Sequence, residues 1–231
     1  MGPASAAGAE GNRMHGLAHL VDIVLHLDIH LDQWARDYGT WLYAILSTVI
    51  FAETGLVATP FLPGDSLLFA VGALAARPGS PLNIFMVFLA ITAAAVLGNT
   101  TNYHIGRWMG PRALERDGRF LKKKYLDQTH AFFERFGGMT IIVTRFVPVV
   151  RTFAPFVAGI GKKGYLHLQF FNIFGGVLWV ALLVFAGYFF GNVPRVRQNF
   201  SLVVIAIVII SILPGVVGYL RARRAARKDM A

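Results

Sequence analysis

The chain has 231 residues, 55% of them hydrophobic and 15% charged, with a formal net charge of +10 and no cysteine. The absence of thiols excludes a disulfide framework, a cysteine nucleophile and a cysteine-liganded metal. The positive charge does not point to nucleic acid, because it gathers beside hydrophobic runs: Lys122, Lys123 and Lys124 in one loop, and Arg221, Arg223, Arg224, Arg227 and Lys228 in the tail. Such clusters fit positive-inside anchors and attract anionic head groups.

Three runs without a charged side chain, residues 80–106, 164–194 and 198–220, each exceed the roughly 20 residues a helix needs to cross about 30 Å of hydrocarbon. The pattern predicts an all-α, polytopic membrane protein. Residues 1–16 are small and polar and are expected to be a disordered extension, or sequence upstream of a start at Met14. The membrane domain is expected over 17–220, followed by a basic cytoplasmic tail, 221–231.

Residues 17–33, LAHLVDIVLHLDIHLDQ, place apolar side chains at helical spacing among Asp22, Asp28 and Asp32, which predicts an amphipathic helix at the membrane surface. His15 and His19, and His26 and His30, stand four apart. No carboxylate–histidine set of metal-ligand order accompanies them, so an interfacial polar face is the better reading and no metal is expected.

Residues 38–76 form the first unusual segment. They carry only two charges, Glu53 and Asp65, and a helix-breaking stretch with Pro60, Pro63 and Gly64 lies between these. The apolar piece after the break is too short to span. Broken backbone at membrane depth survives only when packed in protein or lining a wet cavity. The segment therefore predicts a broken or re-entrant hairpin with its turn near residues 60–65.

A full transmembrane helix follows over 82–107, with the polar end GNTTNYHIGR, and then a basic stretch, 110–135, broken at Pro111 and Gly118. Residues 125–136 are expected as a surface helix. A second hairpin is predicted over 136–161, FGGMTIIVTRFVPVVRTFAPFVAGIG, where Arg145 and Arg151 accompany Pro148 and Pro155. Long uncharged helices follow at 164–190 and 200–220, making about three full spans.

The order hairpin, loop, full helix thus occurs twice. TPF at 59–61 is echoed by APF at 154–156, and GRWMG at 106–110 by GYFFG at 187–191. Two broken segments in corresponding halves suggest an inverted repeat with a transport site between them. If the second hairpin is re-entrant, the loop around Lys122–Lys124, the pair Lys162–Lys163 and the C-terminal tail share one side, the cytoplasm by the positive-inside rule. Arg195 and Arg197 then fall outside.

An acid or arginine at mid-membrane costs about 2.5–3.5 kcal/mol on insertion scales, so four of them need a reason. Two acids on one hairpin and two arginines on the other can neutralise one another, and a purely structural ion-pair role is the plain alternative. The functional reading is that the pairs open. Arg145 and Arg151 then offer forked donors to a phosphate, while Glu53 and Asp65 take up protons. That is the chemistry of a proton-linked carrier of a lipid phosphate. Asn99, Asn102, Tyr103 and Asn172 are candidate crevice-lining residues, with helix–helix hydrogen bonding as the alternative. Trp41, Trp108 and Trp179 are expected to be interfacial or lipid-facing. No nucleophile elbow, HExxH, P-loop or dinucleotide fingerprint occurs, so neither an enzyme nor a bound cofactor is expected.

FAETGLVATPFLPGDSLLF at 51–69, RFVPVVRTFAPFVAGIG at 145–161 and the N…GG…W pattern from Asn172 to Trp179 resemble the DedA family of bacterial inner-membrane proteins, along about residues 17–224. The resemblance implies a multi-pass protein of the cytoplasmic membrane with two opposed re-entrant hairpins. It implies a flippase that returns undecaprenyl phosphate or a related phospholipid across the membrane in support of envelope homeostasis. Other readings are a proton or small-cation antiporter that maintains proton motive force, or a non-transporting membrane assembly factor. The implied partners are membrane lipids and protons, with a homo-oligomer also open. The family's functional acids match Glu53 and Asp65, and its paired arginines match Arg145 and Arg151. Gly98-Asn99 departs from the Gly-Asp that family members often carry, which puts a third proton-coupling acid in doubt. Lys162-Lys163 adds charge at the expected cytoplasmic mouth.

Overall fold

The computed structural model describes residues 27–56, 64–115, 137–145, 148–161, 164–210 and 213, and among these every regular element is a helix. The first, α1 (Leu27–Tyr38), ends at Gly39, whose φ of 50° lets its N–H return to the Ala35 carbonyl at 3.1 Å. Leu31 and Ala35 are buried while Gln33, Arg36 and Asp37 are exposed, so the helix is amphipathic as its pattern predicts. It runs on past residue 33 because Trp34 and Ala35 continue the apolar stripe. The expected extension 1–16, and residues 17–26 with His15, His19, His26 and Asp22, lie outside the described residues.

The first hairpin is α2 (Trp41–Gly55), which ends at an extended Leu56, and α3 (Gly64–Ala75), which already includes Asp65; Pro60 and Pro63, with the rest of the expected turn up to residue 63, lie outside the described residues. Next comes α4 (Ile84–Glu115), started by Asn83, whose side-chain oxygen accepts from the Phe85 and Met86 N–H groups at 2.9 and 3.3 Å. This helix corrects the expected break at Pro111. Its backbone continues to Glu115, since a proline removes one helical hydrogen bond without forbidding the next turn when the surroundings hold it.

The second hairpin is α5 (Met139–Arg145) and α6 (Pro148–Ile160). Here Pro148 opens a helix, where its missing N–H costs nothing, whereas Pro155 lies inside α6 and shapes no break. Then follow α7 (Tyr165–Phe190), the short α8 (Pro194–Gln198) and α9 (Phe200–Ile210). Residues 84–109 and 165–190 are long and apolar enough to cross a membrane, about 39 Å as helix. The third expected span is described only as α9. The surface helix at 125–136, the lysines at 122–124 and 162–163, and the tail lie outside the described residues.

Each hairpin divides itself between the two long helices. Arms α2 and α6 pack on α4, and arms α3 and α5 pack on α7. Tyr43 near the start of α2 accepts from the Asn83 N–H at 2.7 Å, while the end of α2 meets the middle of α4 at Gly55 and Gly98. Returning, α3 starts beside Trp179 and finishes where Asn192 donates to the Ala73 carbonyl at 3.0 Å. The first hairpin therefore enters and leaves at one end of the long helices. At the other end, Gly138 lies against Phe171 as α5 begins, and Gly159 of α6 lies against Tyr103 and Arg107 as it returns.

Close approach without side chains seats the returning arms. A Cβ on Gly72 would strike the Val184 carbonyl, and one on Gly159 the Tyr103 carbonyl. A Cβ on Gly187 would strike the Phe69 carbonyl, and one on Gly106 the Phe156 carbonyl. One displacement along the chain carries Val184 to Tyr103 and Gly187 to Gly106, and another carries Phe69 to Phe156 and Gly72 to Gly159. The α3–α7 and α6–α4 contacts are thus built alike.

Three apolar clusters form among the described residues, the smallest of them Phe156, Val157 and Ile160 of α6. The largest holds α1, α2, α3, the first half of α4, the second half of α7 and α9; another gathers Tyr103, Ile141, Ala154, Ala158 and Leu168. On the outside, Phe85, Leu89, Leu97, Leu166, Phe170 and Phe189 are all more than half exposed. Water would penalise such a surface, whereas hydrocarbon accommodates it.

Candidate functional site

A polar layer lies at the inner ends of both hairpins. Glu53 closes the last turn of α2, Asp65 opens α3, Arg145 ends α5, and Arg151 sits in the first turn of α6. Broken helices bring these charges to mid-depth, because each short arm ends there. The layer is secluded: Glu53 is 0% exposed, Arg145 3% and Arg151 5%.

Arg151 takes both acids. One guanidinium nitrogen donates to Asp65 Oδ1 at 2.8 Å and another to Glu53 Oε1. Its planar fork presents separate nitrogens to the two carboxylates, which the single nitrogen of an ammonium does not. The Trp179 ring lies under the same guanidinium, 4.9 Å from centroid to Cζ, and its Nε1–H donates to Asp65 Oδ1 at 3.1 Å. The four residues form one hydrogen-bonded unit in which a single guanidinium donates to both acids. Gly64 lets the carboxylate in, since a Cβ there would overlap the Glu53 carboxyl.

Arg145 is placed differently. Its Nη2 donates to the side-chain oxygen and the backbone carbonyl of Asn172, and its buried Nε has no hydrogen-bond partner among the described residues. No ion pair links it to a carboxylate among those residues. Mutual neutralisation of two acids by two arginines is therefore uneven: one arginine holds both acids, and the other rests on neutral oxygens.

The asparagines order this layer. Asn172, fully buried on α7, accepts from Asn99 Nδ2 at 3.1 Å as well as from Arg145. Asn102 on α4 donates to the Thr54 carbonyl at 3.1 Å and the Thr152 carbonyl at 2.7 Å, tying both hairpins to one helix. Tyr103 is fully buried in the apolar cluster with Ile141, Ala154, Ala158 and Leu168. Among the described residues no cluster of histidines and acids could hold a metal ion.

Trp179 is the residue that sequence reasoning misplaced. It is 2% exposed rather than lipid-facing, whereas Trp41 and Trp108 are 75% and 70% exposed. A signal was present, since Trp179 falls near the middle of its span and interfacial tryptophans fall at the ends.

An all-helical chain with apolar outer faces, paired broken helices and a charged layer between them defines a polytopic membrane protein, and residues 62–189 match the model of the VTT domain. Over 210 residues the chain is 49% identical to protein DedA of Escherichia coli K12, covering 90% of this chain and 96% of that one. It is 45% identical over 198 residues to an uncharacterized membrane protein of Mycobacterium tuberculosis H37Rv, covering 84% of this chain and 87% of the relative. It is 37% identical over 172 residues to the inner membrane protein YqjA of E. coli K12, covering 70% and 76%. No solved structure matches. The chain belongs to the DedA family.

Proposed function

We propose that this protein is a proton-coupled carrier of a lipid phosphate, undecaprenyl phosphate or a related phospholipid, in the bacterial cytoplasmic membrane. The observation that carries the reading is the uneven sharing of charge: Arg151 holds Glu53 and Asp65, while Arg145 rests on Asn172 with no carboxylate among the described residues. A buried guanidinium without a counter-charge is costly, and an anionic head group supplies one. A proton on Glu53 or Asp65 removes one charge from the closed unit and loosens its hold on Arg151, which then faces the same anion. Proton uptake and head-group binding are thereby linked through one guanidinium. No nucleophile takes part, in keeping with transport rather than catalysis.

The matched contacts of α3 with α7 and α6 with α4 support an inverted repeat whose hairpins enter from opposite membrane faces. The positive-inside pattern puts the second hairpin's mouth and the C-terminus in the cytoplasm. A proton or small-cation antiporter is the second reading, favoured by the two carboxylates, Glu53 and Asp65, gathered on one guanidinium.

Transbilayer movement of labelled undecaprenyl phosphate in proteoliposomes, under two imposed pH gradients, tests the proposal. Wild-type protein is expected to move the lipid at a gradient-dependent rate, and Arg145→Ala is expected to lose that movement. Equal rates for wild type, variant and empty vesicles would shift the assignment to antiport.

A further inference from the structure

Beyond the charge cluster, α4 and α7 share a second set of polar side chains. Thr100 and Gln169 are half-buried and hydrogen-bond to each other at 3.0–3.1 Å. The Asn172 amide, fully buried, donates to the Val96 carbonyl at 3.1 Å, to Gln169 Oε1 at 3.3 Å and to Thr100 Oγ1 at 3.4 Å. Its oxygen in turn accepts from Arg145. The file is continuous, and its exposure falls from partial at Gln169 and Thr100 to none at Asn172.

The file also has a direction. Gln169 is about one turn inside Tyr165, the first residue of α7, and Asn172 lies about 10 Å along the axis from that end. Trp179, which marks Arg151, lies about 10 Å further still. A head group entering from the Tyr165 end meets Arg145 before Arg151.

A hydrogen-bonded zipper between two helices is the plain alternative. Two observations favour a passage. A zipper has no need to end on a charge, yet this file ends on a guanidinium with an unpartnered, buried Nε. Furthermore, beyond Asn172, α7 presents the backbone of Gly175 and Gly176 to that guanidinium, where an added Cβ would stand 3.4 Å from Arg145 Nε and Nη2. Beside the file, Leu97 and Phe170 are 58% and 66% exposed. That flank suits an acyl or prenyl chain lying in lipid while its head group follows the polar side chains.

We infer that the Gln169–Thr100–Asn172 file is a lateral portal along which a phosphate-bearing amphiphile brings its head group from the Tyr165 face to Arg145, its first station, and then to Arg151. The inference rests on the carrier reading and adds the route and the order of contacts.

The chain has no cysteine, so single thiols report without interference. Gln169→Cys, Thr100→Cys and the lipid-facing control Phe170→Cys are reconstituted in vesicles and treated from either side with a charged, membrane-impermeant methanethiosulfonate. The first two are expected to react at least tenfold faster than the control, and from one side only. A short-chain lipid phosphate is expected to slow the reaction severalfold, with that protection lost in an Arg145→Gln background. Equal protection by inorganic phosphate at the same concentration would assign the file to free phosphate and overturn the amphiphile. Reaction no faster than Phe170→Cys would leave a closed zipper and overturn the portal. Gln169→Cys decides alone if Thr100→Cys does not insert. Transport by wild type with an unreactive file would remove the portal and keep the carrier. A reactive, protected file without transbilayer movement would do the reverse.

Discussion

At the scale of single residues, the site turns on which arginine holds the acids. Arg151 bridges Glu53 and Asp65, so Arg151→Gln removes the guanidinium that both carboxylates share. The expected cost is about 3–5 kcal/mol, measured as thermal unfolding in detergent. Adding Glu53→Gln should recover part of that loss, and Arg151→Lys should fall between, because an ammonium lacks the fork. Trp179→Phe removes the donor to Asp65 while keeping a ring under Arg151, and a loss of about 1.5–3 kcal/mol is expected in the same assay. The four charges were legible in the sequence because charge is conspicuous in hydrocarbon. Trp179 was not, because a tryptophan in an uncharged run looks like a lipid contact until its partner, Asp65, is placed beside it.

At the scale of elements, the hairpins were legible and their seating was not. Proline, glycine and the shortness of the apolar pieces announce a break. Nothing along the chain says that the two arms of one hairpin go to different long helices. Glycine contacts decide it: Gly106 meets the Phe156 carbonyl and Gly187 meets the Phe69 carbonyl. Gly106→Ala and Gly187→Ala are expected to lose similar stability, about 1–3 kcal/mol each from overpacking, as read from melting curves. Gly164→Ala, which meets nothing within 4 Å, serves as the near-neutral comparison. Pro155 marks the limit of composition as a guide, for it lies within α6, whose packing against α4 holds the helix through the missing hydrogen bond.

At the scale of the whole molecule, the opposed entry proposed for the hairpins fixes on which side of the membrane each end of the long helices is expected. Ser80, between α3 and α4, and Gly164, before α7, belong to opposite ends. In the cysteine-free chain, Ser80→Cys and Gly164→Cys are expected to react with an impermeant maleimide from opposite sides of the membrane. Labelling of both from one side would overturn the opposed arrangement.

The sequence by itself determined the membrane setting, the broken segments and the identity of the charged residues. Each follows from local chemistry: uncharged length against bilayer thickness, proline against the helix ladder, and charge against hydrocarbon. Only the tertiary structure decided how the charges are shared. Arg145 and Arg151 are close in sequence and chemically identical, but they end different arms of a hairpin that separate onto different helices. One meets two carboxylates and a tryptophan, and the other meets an asparagine. That division is a matter of packing between segments far apart in the chain, which no local pattern encodes.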